Sequence, residues 1–557
     1  MVSLKSYFPI SEWLPKYQKS FVRWDLIAGI TLASFVLPES MAYATLAGVP
    51  TYFGIYCCLA GGLIYAIFTT SRQVAVGPTS SISLMVGSTV AVMSGGDPIR
   101  WATIAGLTAL VVAMICFIAY FFKLSSIVNF ISDSILLGFK AGAALSIMAT
   151  QLPKIFGVEG GGSNFFTRIR TLIEHIPHTN STVLIFGLIA MAILIIGDRL
   201  FKGLPVSLVV VVAGILVMSY SNLASAGVHI TGIIPEGLPS IGKPSLRFRD
   251  VDGVLALAFA CFLMGYIETI SAARTFALKN NYRINPRQEL LSLGAANFAA
   301  AFSSGYVIAG GLSQSTVNDK SGAKSPMSLI ICSVTLGVIL LYFTSLLKNL
   351  PEVILAVIVI HAVSGLIKIK ELKRIRQLSR VEFTVAMIAV AGVLIFGILK
   401  GVMISVIMSL ILLIRRTSSP EVAALGRIGN TDHYSDTERH PDNIHTPGMA
   451  IVRIESAILY FNAENILEKI NHHIHAAGTD VKFLIIDLSA SPHMDIAGSK
   501  MLLTLANTWA KEGKKIRIVQ ALSNVRDLLR KQGIEEITGH IGRAATIGEA
   551  VAEFKSA

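Results

Sequence analysis

Long apolar runs alternate with short polar segments over the first three quarters of the chain. A transmembrane helix needs roughly 20 apolar residues, so the pattern predicts a helical membrane domain over residues 25–416. About fourteen segments can be placed, and some are too short to cross a bilayer alone. They are residues 25–43, 52–69, 78–93, 102–121, 126–150, 182–198, 204–220, 252–277, 287–303, 311–319, 326–346, 350–367, 382–397 and 399–414.

The pattern changes on both sides of this region. Residues 1–24 lack an apolar core, which predicts a cytosolic segment without a cleavable signal peptide. Residues 417–447 are rich in Asp, His, Asn, Thr and Pro, which is typical of a linker. Residues 448–557 alternate strand and helix patterns, which predicts a small α/β domain. Its predicted strands are 449–454, 458–461, 481–488 and 515–519, and its predicted helices are 463–475 and 499–511.

Composition supports a membrane protein with a soluble appendage. Of the 557 residues, 53% are hydrophobic and only 15% are charged. The net charge of +13 is spread over short basic clusters between apolar runs, which is typical of cytosolic loops and argues against nucleic-acid binding. The largest cluster spans residues 368–380. Together with the even number of segments, these clusters predict a multi-pass protein of a bacterial inner membrane with both termini cytosolic.

The two halves of the membrane region carry matching features. Glu39 lies in an apolar run and is followed by a Gly-Pro pair at 77–78. Glu268 also lies in an apolar run and is followed by a Gly-Gly pair at 310–311. Seven segments in each half is an odd number, so the halves are predicted to be inverted. Each break predicts a half-helix that begins near the membrane centre, and two facing N-terminal ends would attract an anion.

Three motifs in the membrane region resemble the SulP anion transporter family, which includes the sulphate permeases and prestin. They lie at residues 37–50, 71–84 and 311–318. The resemblance implies seven plus seven inverted segments, divided into a core and a gate domain. It also implies an anion site between the third and tenth segments, movement of the core against the gate, and a homodimer.

The C-terminal domain resembles a STAS domain at residues 487–489 and 494–498. This resemblance implies a role in dimer support, regulation or docking of a regulatory protein. In soluble relatives of that fold a serine of the second motif can be phosphorylated, and Ala497 stands at the best-aligned position here.

Candidate substrate-binding residues surround the two breaks. Glycine permits close backbone approach, proline fits a first helical turn, and hydroxyl groups can donate to an anion. Tyr43 shares a helix face with Glu39 and is a candidate for the wall of the site. The candidates are Gly77, Pro78, Thr79, Ser80, Ser81, Tyr43, Gly310, Gly311, Leu312, Ser313 and Gln314.

Gln314 departs from the family pattern, because many relatives carry arginine there. Glutamine donates hydrogen bonds but supplies no charge, which makes the choice of a doubly charged substrate less secure. Lys140 is an intramembrane cation, and the plainer interpretation is that it pairs with Asp133 or reaches an interface. The alternative hypothesis is that Lys140 compensates for the missing arginine.

Two intramembrane carboxylates, Glu268 and Glu39, are the candidates for ion coupling. An ionisable residue in a membrane span is a functional-site hypothesis by default. The leading interpretation is a proton-coupled symporter of a small inorganic or organic anion such as sulphate, bicarbonate or a dicarboxylate. The alternatives are sodium coupling, uncoupled exchange or channel activity on the same fold, and a sensor whose output is the soluble domain. The sequence contains no catalytic constellation, so we expect neither an enzyme nor a cofactor other than the coupling ion.

Overall fold

The computed structural model describes residues 8–556 except 96, 126–131, 163, 202–204, 222, 233, 243–250, 479 and 543–544. The chain divides into two compact units, Met1–Ser409 and Leu410–Ala557. Two predicted segments are affected by the gaps, because residues 126–131 of segment 126–150 and residue 204 of segment 204–220 lie outside the described residues.

In its described residues, the first half of the membrane unit consists of helices and one two-residue strand. A π-helical turn at Cys57–Gly61 joins α3 and α4 into one continuous segment. The elements are α1 (Ile10–Trp13), α2 (Lys19–Leu46), α3 (Thr51–Tyr56), α4 (Gly62–Phe68), β1 (Val76–Gly77), α5 (Ser80–Ser94), α6 (Pro98–Phe121), α7 (Asp133–Phe156), α8 (Phe165–His175), α9 (Ser181–Leu200) and α10 (Val206–Tyr220).

The second half repeats this order. Each of the fourteen predicted segments contains a helix, and an amphipathic helix separates the fifth and sixth segments of each half, α8 in the first and α17 in the second. The elements are α11 (Val251–Lys279), α12 (Pro286–Phe302), β2 (Ala309–Gly310), α13 (Leu312–Lys320), α14 (Met327–Tyr342), α15 (Thr344–Leu347), α16 (Glu352–Ser364), α17 (Ile369–Leu378), α18 (Arg380–Phe396) and α19 (Ile398–Ser418).

Helix lengths separate complete spans from half-spans. Within the described ranges, eight helical segments have at least 18 residues and are apolar enough to cross a membrane. Helix α5 has 15 residues and α13 has 9. At about 1.5 Å per residue, α13 is roughly 14 Å long, well short of a hydrocarbon core of about 30 Å. The two predicted half-helices are therefore present, and a short extended segment precedes each of them.

The two extended segments pair with each other. Strands β1 and β2 are antiparallel, with Val76 opposite Gly310 and Gly77 opposite Ala309. A Cβ atom on Gly310 would lie 3.0 Å from the Thr269 Cα atom, closer than Cβ contacts normally allow. Glycine at this position therefore lets the backbone of β2 pass directly against helix α11.

The helices form a core and a gate. In the core, α2 packs against α14, α13 and α3, and α12 packs against α6 and α4. In the gate, α7 packs against α18 and α16, and α16 also packs against α9. This division places both half-helices and both intramembrane carboxylates in the core.

The soluble unit contains a five-stranded sheet in the order β4-β3-β5-β6-β7. Strands β5, β6 and β7 are parallel, whereas β3 is antiparallel to both of its neighbours. The strands are β3 (Val422–Arg427), β4 (Tyr434–Asp436), β5 (Met449–Ile454), β6 (Phe483–Asp487) and β7 (Lys515–Val519). The helices are α20 (Ala463–Ala476), α21 (Ile496–Lys511), α22 (Ser523–Lys531), α23 (Glu535–Thr538) and α24 (Ile547–Ser556).

Two sequence predictions for this unit need correction. The segment 417–447, predicted as a linker, supplies β3 and β4, because its short apolar stretch at β3 is buried against β5 although the surrounding composition is polar. The predicted strand at 458–461 is not a strand, and only Ile458 makes a single bridge, to Met494. The sheet therefore begins before residue 448.

Close helix packing in the gate gives a stability prediction. A Cβ atom on Gly138 of α7 would collide with the Ala386 backbone of α18, whereas a Cβ atom on Gly392 of α18 would have its nearest neighbour at 3.9 Å. We expect Gly138→Ala to destabilise the protein by about 1–3 kcal/mol through overpacking. Thermal unfolding of the purified chain in detergent measures this, with Gly392→Ala as the matched control. Equal melting temperatures for the two variants would contradict the packing.

Candidate functional site

Backbone and hydroxyl contacts hold the starts of the two half-helices together. The Gly311 N–H donates to the Ala75 carbonyl at 3.1 Å, and the Ala75 N–H donates to Ser315 Oγ at 3.0 Å. The Gly310 N–H donates to Thr269 Oγ1 at 2.8 Å. These bonds satisfy the backbone groups that the helix breaks would otherwise leave unpaired in the membrane.

A cavity of about 480 Å³ lies at the N-terminal ends of α5 and α13. Most of the sequence-predicted substrate residues line it, together with Glu268. These predicted residues are Tyr43, Pro78, Thr79, Ser80, Gly311, Leu312, Ser313 and Gln314. Gly77 and Gly310 lie in the strand pair behind the cavity, and Ser81 contacts Glu268, so these three are not among its lining residues.

The gate supplies the opposite wall of this cavity, including the polar residues Asp133, Lys140 and Lys368. Asp133 is the first residue of α7, and Lys368 follows the end of α16. The cavity therefore extends from the half-helix starts to the ends of two gate helices. An anion placed at the half-helix starts would face Lys140 across it.

Lys140 does not form the predicted pair with Asp133. Asp133 and Lys140 line the same cavity, yet in the described part of the chain Lys140 makes no ion pair with Asp133. Their separation of seven positions corresponds to about two helical turns, or roughly 10 Å along the helix axis, which disfavours a direct contact. Lys140 therefore lines the cavity without an ion-pair partner in the described residues.

Glu39 is buried and accepts hydrogen bonds from three side chains. Tyr43 Oη donates to its Oε1 atom at 3.0 Å, and Ser313 Oγ donates to the same atom at 3.3 Å. Gln314 Nε2 donates to the Oε2 atom at 3.0 Å. Two of these donors, Ser313 and Gln314, come from half-helix α13. The carboxylate of α2 is thereby tied to the wall of the site.

Gln314 connects the two half-helices. Its Nε2 group also donates to the Pro78 carbonyl at 3.2 Å, in the residues that lead into α5. Its Oε1 atom is buried and makes no hydrogen bond within the described structure. The glutamine that departs from the family pattern is therefore a bridging donor between Glu39 and the start of the other half-helix.

Glu268 occupies the equivalent position of the second half but is bonded differently. Ser81 Oγ, in the first turn of α5, donates to its Oε1 atom at 2.8 Å. The side chain is half-buried and lines the cavity. Glu268 thus has fewer protein donors than Glu39 and direct access to the cavity.

Two features of the site were missed by sequence reasoning. Asn297 Nδ2 donates to the Ile308 carbonyl and its Oδ1 accepts from the Ile308 N–H, both at 3.0 Å, which fixes the approach to β2. A second cavity, of about 490 Å³, is lined by Glu39 and by His361 and Asp198, whose Nε2 and Oδ2 atoms lie 2.7 Å apart. The sequence signal for the first feature was the polar side chain of Asn297 inside the apolar run 287–303. No sequence signal links Asp198 with His361.

Two family models account for most of the chain. The sulfate permease family model matches residues 22–389, and the STAS domain model matches residues 440–552. The chain belongs to the sulfate permease family. This family consists of anion transporters rather than enzymes, so the protein is a multi-pass membrane transporter with a C-terminal STAS domain.

Similar proteins cover nearly the full chain. A probable sulfate transporter of Mycobacterium tuberculosis is 26% identical over 97% of this chain and 96% of its own length. Sulfate transporter 2.1 of Arabidopsis thaliana is 30% identical over 98% of this chain and 85% of its own length. Both alignments include the membrane region and the soluble domain.

Solved structures share the fold. The murine Solute Carrier 26 family member A9 anion transporter in the inward-facing state matches with a TM-score of 0.91 at 23% identity, covering 100% of this chain and 96% of that chain. The transmembrane domain of a cyanobacterial bicarbonate transporter, BicA, matches with a TM-score of 0.62 at 20% identity, covering 71% of this chain and 98% of that chain. These matches confirm the fold of inverted repeats in core and gate domains.

The Gln314 bridge gives a second prediction. Gln314→Leu removes the donor to Glu39 and to the Pro78 carbonyl, and we expect a loss of about 1–3 kcal/mol of stability because buried acceptors lose their partner. Thermal unfolding of Gln314→Leu, Glu39→Leu and the double variant measures the coupling. The double variant should lose less than the sum of the single losses. Additive losses would show that the two side chains do not stabilise each other.

Proposed function

We propose that this protein is a proton-coupled symporter of a small oxyanion, with sulfate as the first candidate. The anion would bind between the N-terminal ends of α5 and α13, and movement of the core against the gate would carry it across the membrane. The observation that carries this proposal is the position of Glu268 in the same cavity as both half-helix starts. The relatives named as sulfate transporters support the choice of sulfate.

Helix ends and one lysine supply the attraction for the anion. The N-terminal ends of α5 and α13 each present unpaired N–H groups and the positive end of a helix dipole. Lys140 adds a full positive charge from the gate wall. Together they replace the fixed charge that arginine supplies in many relatives at the position of Gln314.

Charge balance gives a reason for coupling. With Glu39 and Glu268 both ionised, two negative charges would oppose an incoming anion near the membrane centre, where charges are weakly screened. A proton on Glu268 removes one of these charges and lets Glu268 donate to the cavity. Glu268 is the better coupling residue because it lines the anion cavity, whereas Glu39 is held by three protein donors.

The remaining features of the proposal follow from the family and the charge pattern. The basic cluster at 368–380 supports an arrangement with both termini in the cytosol of a bacterial cell, below its inner membrane. We propose a homodimer and a regulatory or docking role for the STAS domain, as the family resemblance implies.

Glu268→Gln provides the third prediction. In proteoliposomes loaded with buffer and given an inward proton gradient, we expect gradient-driven uptake of labelled sulfate to fall at least tenfold, because glutamine cannot take up and release a proton. Exchange of sulfate without a gradient should persist. The matched control is Glu174→Gln on the exposed face of α8, which should not change uptake.

The outcomes of this experiment separate the alternatives. Uptake that follows a sodium gradient and ignores the proton gradient would replace proton coupling with sodium coupling at Glu268. Uptake that ignores both gradients in the unmodified protein would indicate an exchanger or channel. Normal proton-driven uptake by Glu268→Gln would remove this residue from coupling.

Lys140→Met provides the fourth prediction. Loss of the cation that faces the half-helix starts should raise the KM for sulfate by roughly five- to thirtyfold, which corresponds to about 1–2 kcal/mol of binding energy. The maximal rate and the dependence on the proton gradient should change less. Lys140→Arg should restore much of the affinity because it keeps the charge. An unchanged KM in Lys140→Met would show that the anion does not sense this residue.

A further inference from the structure

Helix α17 lies between two gate helices. Helix α16 ends at Ser364, and α18 begins at Arg380, directly after α17. The ten residues of α17 span about 15 Å and cannot cross the hydrocarbon core. Because both neighbours are membrane helices, α17 must lie at a membrane surface. It packs against α18 and α7.

The sequence of α17 is strongly amphipathic. Its basic residues Lys370, Lys373, Arg374 and Arg376 form one face at helical spacing, and its apolar residues form the other, with Ile369 and Leu378 at the two opposite edges of the apolar face. Ile369 and Leu378 are large apolar residues that stay exposed, at 60% and 76%. No residue of α17 is buried. The protein itself therefore leaves both the basic face and part of the apolar face uncovered.

The two lysines are available to a partner. Lys370 and Lys373 are exposed, and in the described part of the chain neither makes an ion pair or a side-chain hydrogen bond. Arg374 is 4.0 Å from Glu371, and the Arg376 guanidinium lies 5.7 Å from the centre of the Phe383 ring. The basic face thus carries four cations against the single carboxylate of Glu371.

The equivalent helix of the other repeat provides an internal comparison. In α8, Arg170 pairs with Glu174 at 2.9 Å. Arg168 donates to the Gly162 carbonyl at 3.1 Å and to Ser146 Oγ at 3.4 Å. The arginines of α8 are therefore used within the protein, whereas the lysines of α17 are not. Because the repeats are inverted, α8 and α17 lie at opposite membrane surfaces. Basic side chains without a protein partner are therefore found at the surface that carries α17.

We propose that α17 is a binding site for anionic phospholipids, in which Lys370 and Lys373 contact the headgroup phosphate while Ile369, one turn before Lys373, enters the adjoining acyl region. An amphipathic helix with basic residues on its polar face binds at the interface through apolar burial and attraction to anionic lipid. The site adjoins the transport cavity, since Gly365, Leu366 and Lys368 line that cavity immediately before α17. A bound lipid would therefore sit beside the cavity mouth.

Titration with a short-chain lipid tests the site on the full-length chain. All five native cysteines are buried, so an environment-sensitive fluorophore can be attached at Gln377→Cys, an exposed position of α17. In detergent, dioctanoyl phosphatidylglycerol should give a saturable change in fluorescence. The Lys370→Gln/Lys373→Gln variant should bind it more weakly, by roughly fivefold for each lysine removed.

Three control arms decide the interpretation. Dioctanoyl phosphatidylcholine tests for binding of any lipid, and inorganic phosphate tests for binding of a free anion. Lys511→Gln/Lys531→Gln removes the same charge from exposed positions of the soluble unit and should leave the titration unchanged. An equal response to phosphatidylcholine, a response to phosphate alone, or unchanged affinity in Lys370→Gln/Lys373→Gln would each overturn the proposal. The result does not depend on which ion drives transport.

Discussion

The antiparallel pair of β1 and β2 is the contact on which the candidate site depends. Two half-helices that stop within the membrane leave extended backbone in a region without water, where each unpaired N–H or carbonyl costs several kcal/mol. The strands satisfy part of this demand by pairing with each other. Ser315, Thr269 and Asn297 satisfy more of it through side chains. Because the pairing fixes where α5 and α13 begin, it also fixes where their positive ends point.

The same pairing explains why the glycines of the motifs are not all ligands. Gly77 and Gly310 belong to the strand pair. A Cβ atom on Gly77 would lie too close to Cys58, and one on Gly310 would lie too close to Thr269. Gly311 and the residues after it line the cavity. A motif that appears from the sequence to be one binding loop therefore divides into a structural part and a part that can contact substrate.

Sequence reasoning located the membrane segments because their apolar runs are long, and it located the half-helices because Gly and Pro interrupt two matching runs. It could not predict the contact of Glu39 with Gln314, which joins residues 275 positions apart. It also misjudged the segment before residue 448, where strand β3 is short and its neighbours are polar. Pairing between distant segments depends on tertiary packing, which local composition does not record.

The inverted repeat places two carboxylates at equivalent positions, and their surroundings give them different hydrogen-bond partners. Glu39 is buried, and Tyr43, Ser313 and Gln314 hold its carboxyl group in a fixed position. Glu268 receives one hydroxyl bond, from Ser81, and lines the cavity. A carboxylate that must bind and release a cation in every cycle needs access and few competing donors. The asymmetry between two residues that the repeat makes equivalent therefore favours Glu268 over Glu39 for the proposed coupling role.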